Sequence, residues 1–199
     1  MILISPAKNL NLDVESYCFT DLTEPVFLKK TNKLLGFLKK LNLSEVKKLM
    51  NVSDSLAKIN FDRLRVHSTK NAVLKPAAFL FSGDTFNGLQ IRTFDHTSSG
   101  LAQRKLRILS GLYGLLRPFD QISPYRLEMG TGIKYILGEQ LSEFWKDDIT
   151  NSINSGIPIV GSNIDVHKTY LRNSDIFKSK NLHENLSKIN GEYKDNELV

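Results

Sequence analysis

LRILSGLYGLLRPFDQISPYRLEMG, residues 106–130, joins an apolar lead-in to two close glycines and then to a dense run of polar chemistry. Leu106, Ile108 and Leu109 fit a short buried strand, and Gly111 and Gly114 allow backbone angles or a close approach that other residues resist. Pro118 and Pro124 stop regular structure, so Arg117 to Arg126 reads as a shaped loop, with Tyr125 inside it and Glu128 just beyond. A loop of this composition at the end of a strand is where binding and chemistry concentrate.

Working outward, the opening MILISPAK reads as a strand over Ile2 to Ile4 that stops at Ser5-Pro6, with Lys8 in the following loop. Ligands of parallel sheets sit at the carboxyl ends of strands, so Ser5 and Lys8 are candidate phosphate contacts. The alternative is a buried strand followed by a solvated lysine. The run Ala77 to Phe81, between Pro76 and Gly83, predicts another buried strand. It ends in a glycine-bracketed turn, Ser82 to Leu89, where Asp84 can bind a sugar hydroxyl, orient a base or cap a helix. This turn lacks the lysine of a P-loop.

Between these strands the pattern is helical. Phe27, Leu28, Leu34, Leu35, Leu38 and Leu41 share one side of a helix that starts near Pro25 and ends at Asn42. Ser44 is the expected cap of a second helix with Val46, Leu49 and Met50 inward, and Ser53 starts a short third through Leu56, Ala57 and Ile59. Seven lysines and one acid, Glu45, lie between Lys29 and Lys48. They form either a phosphate-facing surface or a solvated helix face. Asn9 to Glu24 reads as a long surface loop, and Phe61 to Lys75 is mixed in character. A helix over Ser99 or Gly100 to Lys105 precedes Arg107, and one over Glu139 to Ile149 turns Leu141, Phe144, Trp145 and Ile149 inward, with Trp145 as a core anchor. Ile157 to Val160 predicts a last strand, and weak packing is expected from Asn173 onward.

The chain of 199 residues suits one domain with a substantial core. Its net charge is +6, and all of the excess lies in residues 1–150, where 21 Lys and Arg face 15 Asp and Glu. Such a balance fits a polyanionic partner, and solubility alone also accounts for it. The single cysteine, Cys18, leaves no intrachain disulfide and suits a reducing cytoplasm. No stretch resembles a signal peptide or a membrane span. His67 and His96 have no regular spacing to other ligand residues, so neither a metal nor another cofactor is expected.

MILISPAK, GDTFNGL at residues 83–89, LSGLYGLLRPFDQISPYRLEMG at residues 109–130 and the pair Phe144-Trp145 occur in an order that resembles the YaaA family of peroxide-stress proteins. The resemblance covers about residues 1–150. It implies an α/β fold, a compact mixed sheet flanked by helices, with a helix-hairpin-helix element and a basic DNA-binding cleft. It also implies a cytoplasmic protein that limits oxidative DNA damage under hydrogen peroxide stress. Leu109 to Gly114 fits either the glycine turn of that hairpin or a strand running into a glycine loop. Family members continue for several tens of residues with an NLAS-like segment and a basic end. Here Val160 to Tyr170 is only loosely similar, so 151–199 is expected to be a divergent, shortened part of a single domain.

Two functions follow as expectations. In the first, the protein is a monomer that binds double-stranded or damaged DNA through Ser5, Lys8, Arg107, Ser110, Arg117, Tyr125 and Arg126, mainly by phosphate contacts. In the second, it is an enzyme acting on a nucleotide or nucleobase, with Asp84 or Glu128 as general acid or base and the arginines holding phosphate.

Overall fold

A computed structural model of the protein describes residues 1–17, 22–67, 69 and 71–154. Strands β1 (Ile2–Ile4) and β2 (Asn9–Leu10) lead to helices α1 (Leu28–Leu38), α2 (Leu43–Met50) and α3 (Asp54–Val66). Next come β3 (Lys75–Pro76), α4 (Ala77–Leu80), β4 (Phe81–Ser82), α5 (Asp84–Leu89) and a 3-10 turn at Ile91–Thr93. The described part ends with α6 (His96–Lys105), β5 (Leu106–Ser110), β6 (Gly114–Leu116), β7 (Gln121–Ile122), α7 (Lys134–Leu137) and α8 (Leu141–Asn154).

The central sheet has the order β1-β5-β6. Strand β1 runs parallel to β5, with Ile4 beside Ile108, and β6 returns antiparallel, with Leu116 beside Ile108. Leu106, Ile108 and Leu116 are fully buried, so helices cover this sheet and the strands read as near-continuous apolar runs. Two short antiparallel ladders, β2 with β4 and β3 with β7, extend the mixed α/β architecture. The parallel pairing sets the carboxyl ends of β1 and β5 side by side, with Ser5 following one strand and Gly111 the other.

The chain from Leu109 to Gly114 is therefore the bend of a β-hairpin, and the strand reading of that segment holds over the helical-hairpin one. The two glycines serve different ends. A Cβ on Gly111 would stand 2.3 Å from the Leu127 carbonyl oxygen, so a second piece of backbone occupies the place of a side chain. Gly114 has φ +73°, and a Cβ there would stand 2.7 Å from the ring of buried Trp145. The Trp145 indole Nε1 donates to the Gly111 carbonyl at 2.9 Å, which locks α8 onto the hairpin bend and makes Trp145 the anchor its sequence pattern predicts.

Several local expectations change. The run Ala77 to Phe81 is a buried helical turn followed by a two-residue strand. Pro76 donates nothing to a ladder, and the amides of Ala77 and Ala78 donate to the carbonyls of Asp120 and Pro118, which hold the chain in the turn. The cap of α2 is Asn42 and not Ser44. Asn42 Oδ1 accepts from the Glu45 amide at 3.0 Å while Glu45 Oε2 accepts from the Asn42 amide at 2.7 Å, a complete capping box. Ser53 does cap α3, which continues to Val66. Part of the expected surface loop is held in place: Glu15 pairs with Lys75 and Arg92. Arg92, and then Lys75, keep its carboxyl well below the ordinary range, at about 2. The expectations for Cys18, for the strand at 157–160 and for 173–199 lie outside the described residues.

Candidate functional site

Four segments meet around the carboxyl ends of β1 and β5. The Ser5 to Lys8 loop passes Gly83, whose added Cβ would touch Ala7 Cβ at 3.4 Å. Asn9 pairs with Ser82, so the turn carrying Asp84 neighbours this loop. The Leu127 backbone packs on Gly111. Phe81 and Tyr125 meet edge to face at 6.2 Å, and the Tyr125 hydroxyl lies 2.6 Å from Ser110 Oγ. These contacts fix the loop after β7 against the sheet.

Beside them lies a cavity of about 350 Å³ lined by Lys8, Arg126, Leu127, Glu128, Gly130, Thr131, Gly132 and by Leu49, Met50 and Asn51 at the end of α2. The Lys8 ammonium is 3.5 Å from the Glu128 carboxylate, and the Arg126 guanidinium is 3.7 Å from the same oxygen. All three side chains reach solvent, with exposures of 66% for Lys8, 22% for Arg126 and 50% for Glu128. The Glu128 amide donates to Thr131 Oγ1 at 3.2 Å and the Thr131 amide donates to the Glu128 carbonyl at 2.9 Å, which fixes the backbone beneath the carboxylate.

The other residues singled out from the sequence stand elsewhere. Ser110 is fully buried; its hydroxyl accepts from the Tyr113 amide and contacts Tyr125, so it holds the loop from within. Tyr125 is buried with it. Arg117 is spent on Asp120, a fully buried carboxylate that also accepts from the Thr23 hydroxyl at 2.6 Å, and it reaches the Glu24 carbonyl. Arg107 donates to the carbonyls of Gln103 and Leu106, and burial together with neighbouring Arg117 pushes its pKa down. Asp84 opens α5 as an exposed first-turn acid, with Gly83 at the cap position, and does not line the cavity.

The sequence reading missed the contribution of α2 and of the Gly130 to Gly132 turn. One signal was present: Asn51 directly after the last apolar position of α2 is a helix-ending residue in the left-handed region, at φ 48°. It turns the chain so that Ser53 can cap α3 three residues after Met50. A second polar cluster was also missed. His67 is buried at the end of α3, its Nε2 lies 2.8 Å from the Tyr113 hydroxyl, and burial followed by nearby Lys39 lowers its pKa to about 4. Among the described residues no three His, Cys, Asp or Glu side chains are grouped to hold a metal ion, and no helix is long and apolar enough to cross a membrane.

The architecture is that of a mixed α/β protein with a cavity lined by Lys8, Arg126 and Glu128 among other residues. Residues 1–173 match the family described as peroxide stress protein YaaA, and the chain belongs to that family. It is 40% identical to a UPF0246 protein of Roseobacter denitrificans over 166 residues, covering 82% of this chain and 63% of that one. A UPF0246 protein of Neisseria meningitidis serogroup C is 40% identical over 183 residues, covering 90% of this chain and 68% of the relative. One from Saccharophagus degradans is 40% identical over 181 residues, with 90% and 69% covered. The chain thus spans about two thirds of the length of the curated relatives it matches.

Proposed function

We propose that the protein binds DNA in the cytoplasm as part of the response to hydrogen peroxide, seating backbone phosphates at the cleft between Lys8, Arg126 and the α2–α3 turn. The observation that carries this reading is the convergence of Lys8 and Arg126, 118 positions apart in the chain, on one solvent-open cavity. A guanidinium can hold a phosphate with two parallel hydrogen bonds, and an ammonium adds a point charge. Ser5, exposed after β1, adds a hydroxyl, while Ser110 and Tyr125 act by keeping the Arg126 loop in place. Arg107 and Arg117, tied to backbone and to Asp120, contribute to the positive field more than to direct contact.

Helices α2 and α3 supply the helix-hairpin-helix element in this reading, because their turn borders the cavity and lysines flank it. Contacts of this kind carry little sequence information, so binding is weakly sequence-selective and steeply dependent on salt. Fluorescence anisotropy of a labelled duplex across a salt series measures both. Lys8→Ala and Arg126→Ala should each weaken binding to every sequence alike and reduce the salt slope by about 1. A flat salt response, or no binding at low salt, would refute the reading. The nucleobase-enzyme alternative draws on Asp84 or Glu128 as general acid or base; the cavity is lined by Glu128 and not by Asp84, so the two carboxylates do not cluster there.

A further inference from the structure

Lys8 and Arg126 already share one carboxylate neighbour. Both face Glu128 Oε1, at 3.5 and 3.7 Å, inside the cavity that would receive a phosphate. We propose that Glu128 is a built-in competitor for the cleft, which a phosphodiester enters by displacing this carboxylate from between the two cations. The inference rests on the DNA-binding reading above and names how that site is regulated.

Three features favour displacement. Both distances exceed those of a direct charge-assisted hydrogen bond, about 2.7–2.9 Å, and Lys8 and Glu128 are half or more exposed, so the pairing is weak and easily exchanged. The backbone under Glu128 is held by Thr131 and, one residue earlier, by its close approach to Gly111, so the side chain can swing out while the loop stays. The space is sufficient, because a cavity of about 350 Å³ takes a phosphate with its water. A single carboxylate or chloride offers the cations little that Glu128 does not already supply. A DNA backbone brings a line of charges and gains from counterion release, so the competitor selects for polyanions over isolated anions.

The test compares the full chain with Glu128→Gln, Lys8→Met, the double variant and Glu143→Gln. Glu143, paired with Lys146 on α8, lies outside the cavity lining and controls for net charge alone. Anisotropy of a labelled duplex over a salt series should show Glu128→Gln binding about three- to tenfold tighter at low salt, with a slope steeper by about 1. Lys8→Met should cost more in the Glu128→Gln background than in the unaltered chain, and Glu143→Gln should stay within about twofold of it. If the unaltered chain binds DNA and Glu128→Gln binds no tighter, or Glu143→Gln tightens binding equally, the competitor role is wrong and DNA binding stands. If neither the unaltered chain nor Glu128→Gln binds at low salt, both fall.

Discussion

Gly114 shows how much one position carries. Its φ of +73° disfavours any side chain, and the space a Cβ would need is taken by the ring of Trp145, itself fully buried and hydrogen-bonded to Gly111. Alanine there meets two costs together, a strained backbone and an overpacked core. Gly114→Ala should lose on the order of 3 kcal/mol of stability, read as a lower denaturation midpoint, with Trp145 fluorescence reporting the displaced indole. An unchanged midpoint would mean that α8 yields around the hairpin. Glu128 is the opposite case, a half-exposed side chain whose removal costs the fold little and whose interest lies in what it occupies.

At the scale of elements, the α2–α3 hairpin joins the fold to the cleft. Its first helix is specified locally: Asn42 and Glu45 exchange hydrogen bonds, Lys47 and Lys48 sit in its last turn, and Val46 and Leu49 face inward. Its last residues, Leu49 and Met50, then form a wall of the cavity. Asn42→Ala removes one half of the capping box and should cost about 1 kcal/mol in equilibrium unfolding. Under the proposed DNA binding, the loss falls on the helix rather than on a phosphate contact, so the salt slope should stay the same while affinity falls slightly. A slope reduced by a full charge would instead place Asn42 or its neighbours in the contact itself.

Across the whole molecule, the buried His67 ties three parts together. It ends α3, its carbonyl accepts from Lys39 just past α1 at 2.7 Å, and its ring meets Tyr113 in the β5–β6 bend. Burial and then Lys39 hold its pKa near 4, against 6.5 when exposed, so the folded protein resists a proton that the unfolded chain accepts. Stability that this neutral imidazole preserves is complete above pH 6.5 and is lost as pH falls toward 4, a change of about 3 kcal/mol. Thermal denaturation from pH 7 to pH 4 should show the decline, and His67→Gln should flatten that part of the profile. An equally steep profile in the variant would assign the loss to other groups.

The amino-acid sequence by itself determined the elements whose signals are local. Apolar periodicity marks α1 and the inward face of α8, short apolar runs stopped by Ser5-Pro6 and by Gly111 mark β1 and β5, and the four ordered motifs point to the family. It was less readable where a local pattern has two solutions. Ala77 to Phe81 is apolar enough for a strand, yet carbonyls of Pro118 and Asp120 from a distant loop hold it as a helical turn. The site divides in the same way. Lys8, Arg126 and Glu128 each stand out as charged residues after a strand or in a loop, but nothing in their spacing says that one carboxylate oxygen faces both cations. Nor does it say that Arg117 is committed to buried Asp120, or that Ser110 is sealed in the core. Those outcomes belonged to the tertiary structure, because pairing charges far apart in the chain depends on the parallel β1–β5 register and the close approach at Gly111, which no local window of residues encodes.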